Sequence, residues 1–288
     1  MIFTWRFATQ NGLPPFKQLR LNTSSNETAK QADIEMRQYD PNKPIIYTHI
    51  PKCAGTSVVR LLRNWFGDTY HKLNQDETKD IMLPRVHTQD DEGQWLENVK
   101  CIHGHFNHGR GYGLPYFYSE LDQYFTILRD PFDLTCSMYF FAKGRSIRGE
   151  FWFRGKQVDI RDQFPTVESY VSAYPYWLFN HMPQDVTLDN YEERLSQKFV
   201  YIGLFEDLQQ SIDNLSTILG KPKFELPVTN VSNYDETVPH YLREKFYHDY
   251  PLLKRIYHFA LENYRMIDGQ PVMKTSEIPE QTTQSKAG

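Results

Sequence analysis

Nowhere in this sequence do eighteen apolar residues run together, and the N-terminal stretch MIFTWRFATQNGLPPF pairs no charged leader with an apolar core. Neither a membrane span nor a secretory leader is expected, so the expected location is cytoplasmic. Cysteine is scarce too. The three present, Cys53, Cys101 and Cys136, form an odd set without metal-ligand spacing, for which a reducing compartment is the simpler reading. An excess of one charge is also missing. With 32 basic against 36 acidic residues and a net charge of −4, the chain is no general binder of nucleic acid or membrane surfaces, and any anionic ligand has to be held locally. Internal repeats and low-complexity tracts are absent. What is abundant is core material: 40% of the 288 residues are hydrophobic and 15% aromatic. Asn-x-Ser/Thr triplets at Asn22, Asn26, Asn214 and Asn230 arise easily by chance and matter only on a secretory route.

Residues 1–40 are polar with little periodicity and end in the turn-rich Tyr39-Asp-Pro-Asn-Lys-Pro44, so they read as an extension before a domain over 41–268. Residues 269–288 read as a disordered polar tail. Apolar, β-branched segments at 44–50, 99–103, 124–128 and 199–203 predict strands. Between and after them lie helical patterns. Val58, Val59, Leu61, Leu62, Trp65 and Phe66 recur at three-to-four spacing over 55–66. Leu208, Ile212, Leu215, Ile218 and Leu219 do the same over 206–219, where Gly220 and Pro222 supply the stop. The stretch 241–264 predicts a last helical layer interrupted near Pro251. Alternating strands and helices predict an α/β, three-layer fold with a central, mostly parallel sheet flanked by helices, of P-loop-like type.

The first strand runs into His49-Ile-Pro-Lys-Cys-Ala-Gly-Thr-Ser57 and then a helix. Such a loop turns backbone N–H groups and the positive helix end toward one point, which suits a phosphate or sulfate. Lys52 adds a mobile cation, Gly55 close backbone approach, and Thr56 and Ser57 hydroxyl donors. The nucleoside-triphosphatase loop places its lysine directly after a second glycine, whereas here the lysine precedes the only one. An ordinary strand-to-helix turn with a capping Thr or Ser is the alternative. A second string, Arg129-Asp-Pro131 through Ser137, sits where another strand meets a helix. Arg129 offers a planar fork for phosphate oxygens and Ser137, two turns on, a neutral donor; an Arg129–Asp130 surface pair is the alternative.

Together these strings resemble the two signatures that bind 3′-phosphoadenosine 5′-phosphosulfate (PAPS) in sulfotransferases, most nearly the carbohydrate group that includes heparan sulfate 2-O-sulfotransferase. The resemblance implies that Lys52, Cys53, Ala54, Gly55, Thr56 and Ser57 surround the phosphosulfate, while Arg129 and Ser137 grip the 3′-phosphate. Ile102-His103-Gly104-His105-Phe106 is similar to the segment bearing the catalytic histidine of the 2-O-sulfotransferases. By that likeness the expected function is sulfuryl transfer to an acceptor hydroxyl, of a glycan or polysaccharide, leaving PAP. Lys52 would steady the leaving oxygen and His105 would act as base, with His103 as alternative base or orienting partner; no metal is required. Unlike this chain, the Golgi enzymes of the group carry an N-terminal anchor. A Golgi lumen setting would apply only if a leader had been removed.

From Lys143 to Arg161, six basic residues surround Phe151-Trp152-Phe153, and Arg148, Arg154 and Trp152 are candidates to hold an anionic sugar; a solvated loop over buried aromatics is the alternative. Asn230-Val-Ser-Asn233 is a further candidate at the donor nucleotide. The main rival function is a metallo-β-lactamase-like metallohydrolase using His103, His105 and His108. It fails at Asn107, where an ionised carboxylate is expected. A cysteine phosphatase would need an arginine one residue nearer to Cys53 than Arg60, and a P-loop kinase lacks both its second glycine and a magnesium carboxylate. A non-catalytic PAPS- or polysaccharide-binding relative is the remaining alternative.

Overall fold

A computed structural model of the chain describes residues 36–76, 81–82, 85–153, 155–173, 178–226, 237–264, 266–267 and 270–271. The four expected strands form, and a short fifth joins them: β1 (Ile45–Thr48), β2 (Tyr70–Lys72), β3 (Cys101–Gly104), β4 (Tyr124–Leu128) and β5 (Phe199–Leu204). They make one sheet in the order β2-β3-β1-β4-β5, and every pairing in it is parallel. All residues of β1, β3, β4 and β5 are buried, which accounts for their continuous rather than alternating apolar runs.

The helices flank this sheet. α1 (Gly55–Phe66) buries Val58, Leu61, Leu62, Trp65 and Phe66 and keeps its basic residues on the other side. α2 (Pro131–Ile147) starts on a proline at its first turn and on Asp130, whose carboxylate accepts from the N–H groups of Phe132 and Asp133. The same carboxylate accepts from Arg243 Nη1 (2.9 Å) and from the Tyr247 hydroxyl (2.8 Å), so Asp130 is part of a structural junction between α2 and α7. Two short helices, α3 (Ile160–Gln163) and α4 (Val167–Ala173), pack against α2. α5 (Tyr191–Lys198) precedes β5, and one 3-10 turn at Phe205–Asp207 leads into α6 (Leu208–Ile218). The last layer is α7 (Tyr241–Asp249) and α8 (Pro251–Asn263), divided at Pro251 as expected.

Asn214 is buried on α6 and accepts from Gln210 Nε2, so this triplet is closed to a glycan. No described helix is long and apolar enough to cross a membrane. A two-residue antiparallel pair, Met266–Ile267 with Gln270–Pro271, crosses the 268/269 boundary. Residues 1–35 and 272–288 and the Asn230–Asn233 candidate lie outside the described residues.

Candidate functional site

After β1 the chain turns one way, through α1 to the β2 edge, while after β4 it turns the other way, through α2 toward β5. A parallel sheet opens a ligand crevice where neighbouring strands send their chains apart, at the carboxyl ends. Both anion-type strings lie at this point. The loop after β1 holds Lys52 and Ala54 at φ values of 67° and 55°, a left-handed conformation that costs a residue with a Cβ about 1–2 kcal/mol. No side chain caps α1, and Gly55 and Thr56 of its first turn line a cavity. Strained backbone and an uncapped helix start are what a loop built around an anion needs.

The structure brings the two strings together. The Cys53 sulfur accepts from the Arg129 backbone N–H, stitching the loop to the end of β4, and burial pushes the thiol far above its usual range. Cys53 is thus a packing residue with only backbone to offer a ligand, and its burial opposes the thiolate that phosphatase chemistry needs. Burial, and then the Arg129 charge, lower the Lys52 ammonium pKa. Lys52 Nζ rests 4.8 Å from the centre of the Phe141 ring, and the Arg129 guanidinium lies over Phe205. Ser137 is buried on α2, and its Oγ has no hydrogen-bond partner among the described residues. Leaving a buried hydroxyl unpaired costs about 1–3 kcal/mol, which a bound acceptor atom would recover.

On the other side of β1 lies the cavity, about 390 Å³ in volume. His49, His103 and His105 line it from the ends of β1 and β3, while Arg60 and Arg63 enter from α1 and Lys72 from β2. No carboxylate is among these lining residues, so the site concentrates positive charge in a chain of net negative charge. Thr56, Arg60 and Arg63 follow one another at helical spacing, which puts them on one face of α1.

The imidazoles are ordered by hydrogen bonds. His105 Nδ1 donates to the His49 carbonyl at 3.0 Å, so in neutral His105 the lone pair is on Nε2. His49 Nδ1 meets His103 Nε2 at 3.0 Å, and His103 Nδ1 meets the Tyr70 hydroxyl at 2.7 Å. The His49 and His105 ring centres are 4.1 Å apart. Burial, followed by His105 and nearby cations, lowers the His103 pKa to about 3. Burial and then His105 and His103 hold His49 well below the usual imidazole range. His49 also explains a glycine. A Cβ on Gly55 would fall 1.6 Å from His49 Nε2, so the ring occupies the space that any larger residue at 55 would need.

No family model matches the chain. No curated protein matches its sequence either.

His103 and His105 reach one cavity as their two-residue spacing suggested, although β3 stops at Gly104 and His105 stands beyond it. His108 diverges from them and donates Nε2 to the Met182 carbonyl at 2.8 Å. Among the described residues no group of three or more His, Cys, Asp or Glu side chains is placed to hold a metal ion. Arg148 pairs with Glu150 at the surface, Trp152 is half-buried in a two-residue strand pair, and Arg154 lies outside the described residues. Neither Arg148 nor Trp152 lines the cavity. The side chains that sequence reasoning passed over are His49, Arg60, Arg63, Tyr70 and Lys72. Arg60 and Arg63 were readable as the polar stripe opposite the apolar face of α1. Tyr70 and Lys72 gave no signal, because a three-residue edge strand has no periodicity to detect.

Proposed function

We propose that the protein moves a sulfuryl group from PAPS to a hydroxyl of a carbohydrate acceptor by in-line displacement, with His105 as base. The observation that carries this reading is the placement of two anion-type donor sets in one crevice, directly beside a histidine whose tautomer suits proton abstraction. The loop N–H groups, Thr56 and Ser57 would hold the phosphosulfate, and Arg129 with the unpaired Ser137 hydroxyl would hold the 3′-phosphate. The acceptor hydroxyl would lie in the cavity against His105 Nε2.

In the reaction the acceptor oxygen bonds to sulfur as the bond from sulfur to the bridging phosphate oxygen breaks. The acceptor proton passes to His105 Nε2 and PAP departs. Lys52 and the loop amides stabilise the charge that grows on the bridging oxygen. Arg60, Arg63 and Lys72 add a positive field over the acceptor side.

Calorimetric titration with PAP and with 5′-AMP tests the donor assignment. PAP should bind roughly 10- to 100-fold more tightly than 5′-AMP, and Arg129→Ala should remove most of that preference. Equal affinity for the two nucleotides, or no binding of PAP, would overturn the reading.

A further inference from the structure

His49 stands on the boundary between the two halves of the site. Its Nε2 lies over Gly55 at the start of α1, its ring centre is 4.1 Å from that of His105 with the two planes tilted by 31°, and it lines the cavity. What that nitrogen carries, a proton or a lone pair, depends on the chain behind it. Tyr70, His103 and His49 are joined in series, and such a series has two polarities.

In one, the Tyr70 hydroxyl donates to His103 Nδ1, His103 Nε2–H donates to His49 Nδ1, and His49 presents Nε2–H. In the other every bond reverses, and the phenol proton has to be given elsewhere. Among the described residues the Tyr70 hydroxyl bonds only to His103. An imidazole nitrogen is a better acceptor than a phenol oxygen, and a phenol a better donor than acceptor, so the first polarity holds. With both rings neutral, His49 and His105 are of opposite sense, one with N–H at Nε2 and the other with a lone pair there.

We propose that His49 is a catalytic hydrogen-bond donor whose Nε2–H serves the sulfuryl oxygens of the bound donor, and that Tyr70 and His103 are positioning residues that fix this tautomer. The proposal rests on the sulfuryl-transfer reading above. A neutral donor fits the place better than a cation. An imidazolium with its ring centre 4.1 Å from that of His105 would reduce the basicity that His105 needs, whereas a neutral N–H stabilises the transferring group without that penalty. The Tyr70–His103 chain supplies such a donor with its direction already set.

The test uses the full chain with ¹⁵N-labelled imidazoles, observed by NMR without and with PAP, together with PAP release from PAPS with water as acceptor. His49 and His103 should be protonated at Nε2 and His105 at Nδ1. Tyr70→Phe should leave PAP affinity unchanged while removing the fixed Nε2–H signature of His49 and His103. His49→Ala should slow PAP release by roughly 10- to 100-fold. His49→Gln, which places an amide N–H near the position of Nε2, should restore much of the rate. His49 protonated at Nδ1 in a protein that binds PAP would overturn this inference alone. Failure to bind PAP would instead remove the parent reading, and the catalytic role of His49 with it.

Discussion

The two sides of the β1 carboxyl end are built on opposite principles. Toward β4 the donors are left unsatisfied: an uncapped helix, two left-handed residues and a buried serine hydroxyl without a partner. Toward β3, His49, His103 and His105 are tied into one hydrogen-bonded array. The first arrangement stores free energy that a ligand can release, so it is suited to binding. The second spends nothing on reorganisation and is suited to chemistry. Gly55 is where they meet, because its missing side chain lets the His49 ring sit against the start of α1.

The largest effect should come from breaking that meeting point. Gly55→Ala should cost about 1–3 kcal/mol of stability and abolish measurable PAP binding, because the His49 ring has to leave its place. Gly113→Ala is the control. Its Cβ would fall 1.9 Å from His108 Nδ1, away from the lining of the cavity, so denaturation should show a comparable loss while PAP titration is unchanged. Parallel losses of PAP binding in both variants would erase the distinction.

The response to acid leaves the sequence of the chain unchanged and reads stability alone. His103 and His181, the latter buried at the end of a 3-10 turn over Phe179–His181, have pKa values lowered to about 3, through burial first and the His105 ring second, while the unfolded chain protonates them near the ordinary value of about 6.5. Between these values the unfolded state binds more protons, so stability falls as pH drops from about 6.5 toward 3. Urea denaturation at about pH 7 and about pH 5 should differ by roughly 2–4 kcal/mol, with the lower value at the acid pH. A flat profile would show that these rings are not held neutral by the fold.

Smaller effects sharpen the contrast on the binding side. Ser137→Ala should leave the ligand-free protein as stable as before, or up to about 1 kcal/mol more stable, because an unpaired buried hydroxyl is removed. The same change should weaken PAP by roughly fivefold. A destabilised ligand-free protein would mean that the hydroxyl already has a partner. Ala54→Gly, at a φ of 55°, should raise the melting temperature through about 0.5–1 kcal/mol of relieved strain.

Much of the fold was legible because its strands are buried on both faces and its helices are amphipathic. Residues 44–50 and 124–128 could be read from apolar runs alone, and α1 was bounded correctly by the recurrence of Val58, Leu61, Leu62 and Trp65. β2 was not legible. Tyr70-His-Lys72 is too short and too polar, and it is a strand only because β3 offers it a parallel edge. The same local blindness hid part of the site. Lys52, Arg129 and Ser137 announce themselves through their neighbours in sequence, whereas the Tyr70–His103–His49 series joins three strands and exists only in the assembled sheet. His103, readable from its sequence neighbours only as a base or an orienting partner, is buried and makes hydrogen bonds through both ring nitrogens.

The central position of β1 also bears on how the chain is made. Its first sheet partner in register is Cys101, 56 residues after Ile45. At about 5–20 residues per second a ribosome needs roughly 3–11 s to supply that partner. Throughout this interval an apolar, β-branched segment without its in-register sheet partner emerges directly before α1, which can shield it by local folding. The length and strong amphipathicity of α1 therefore serve synthesis as well as the finished site, and variants that weaken its apolar face should aggregate during expression before they lose activity.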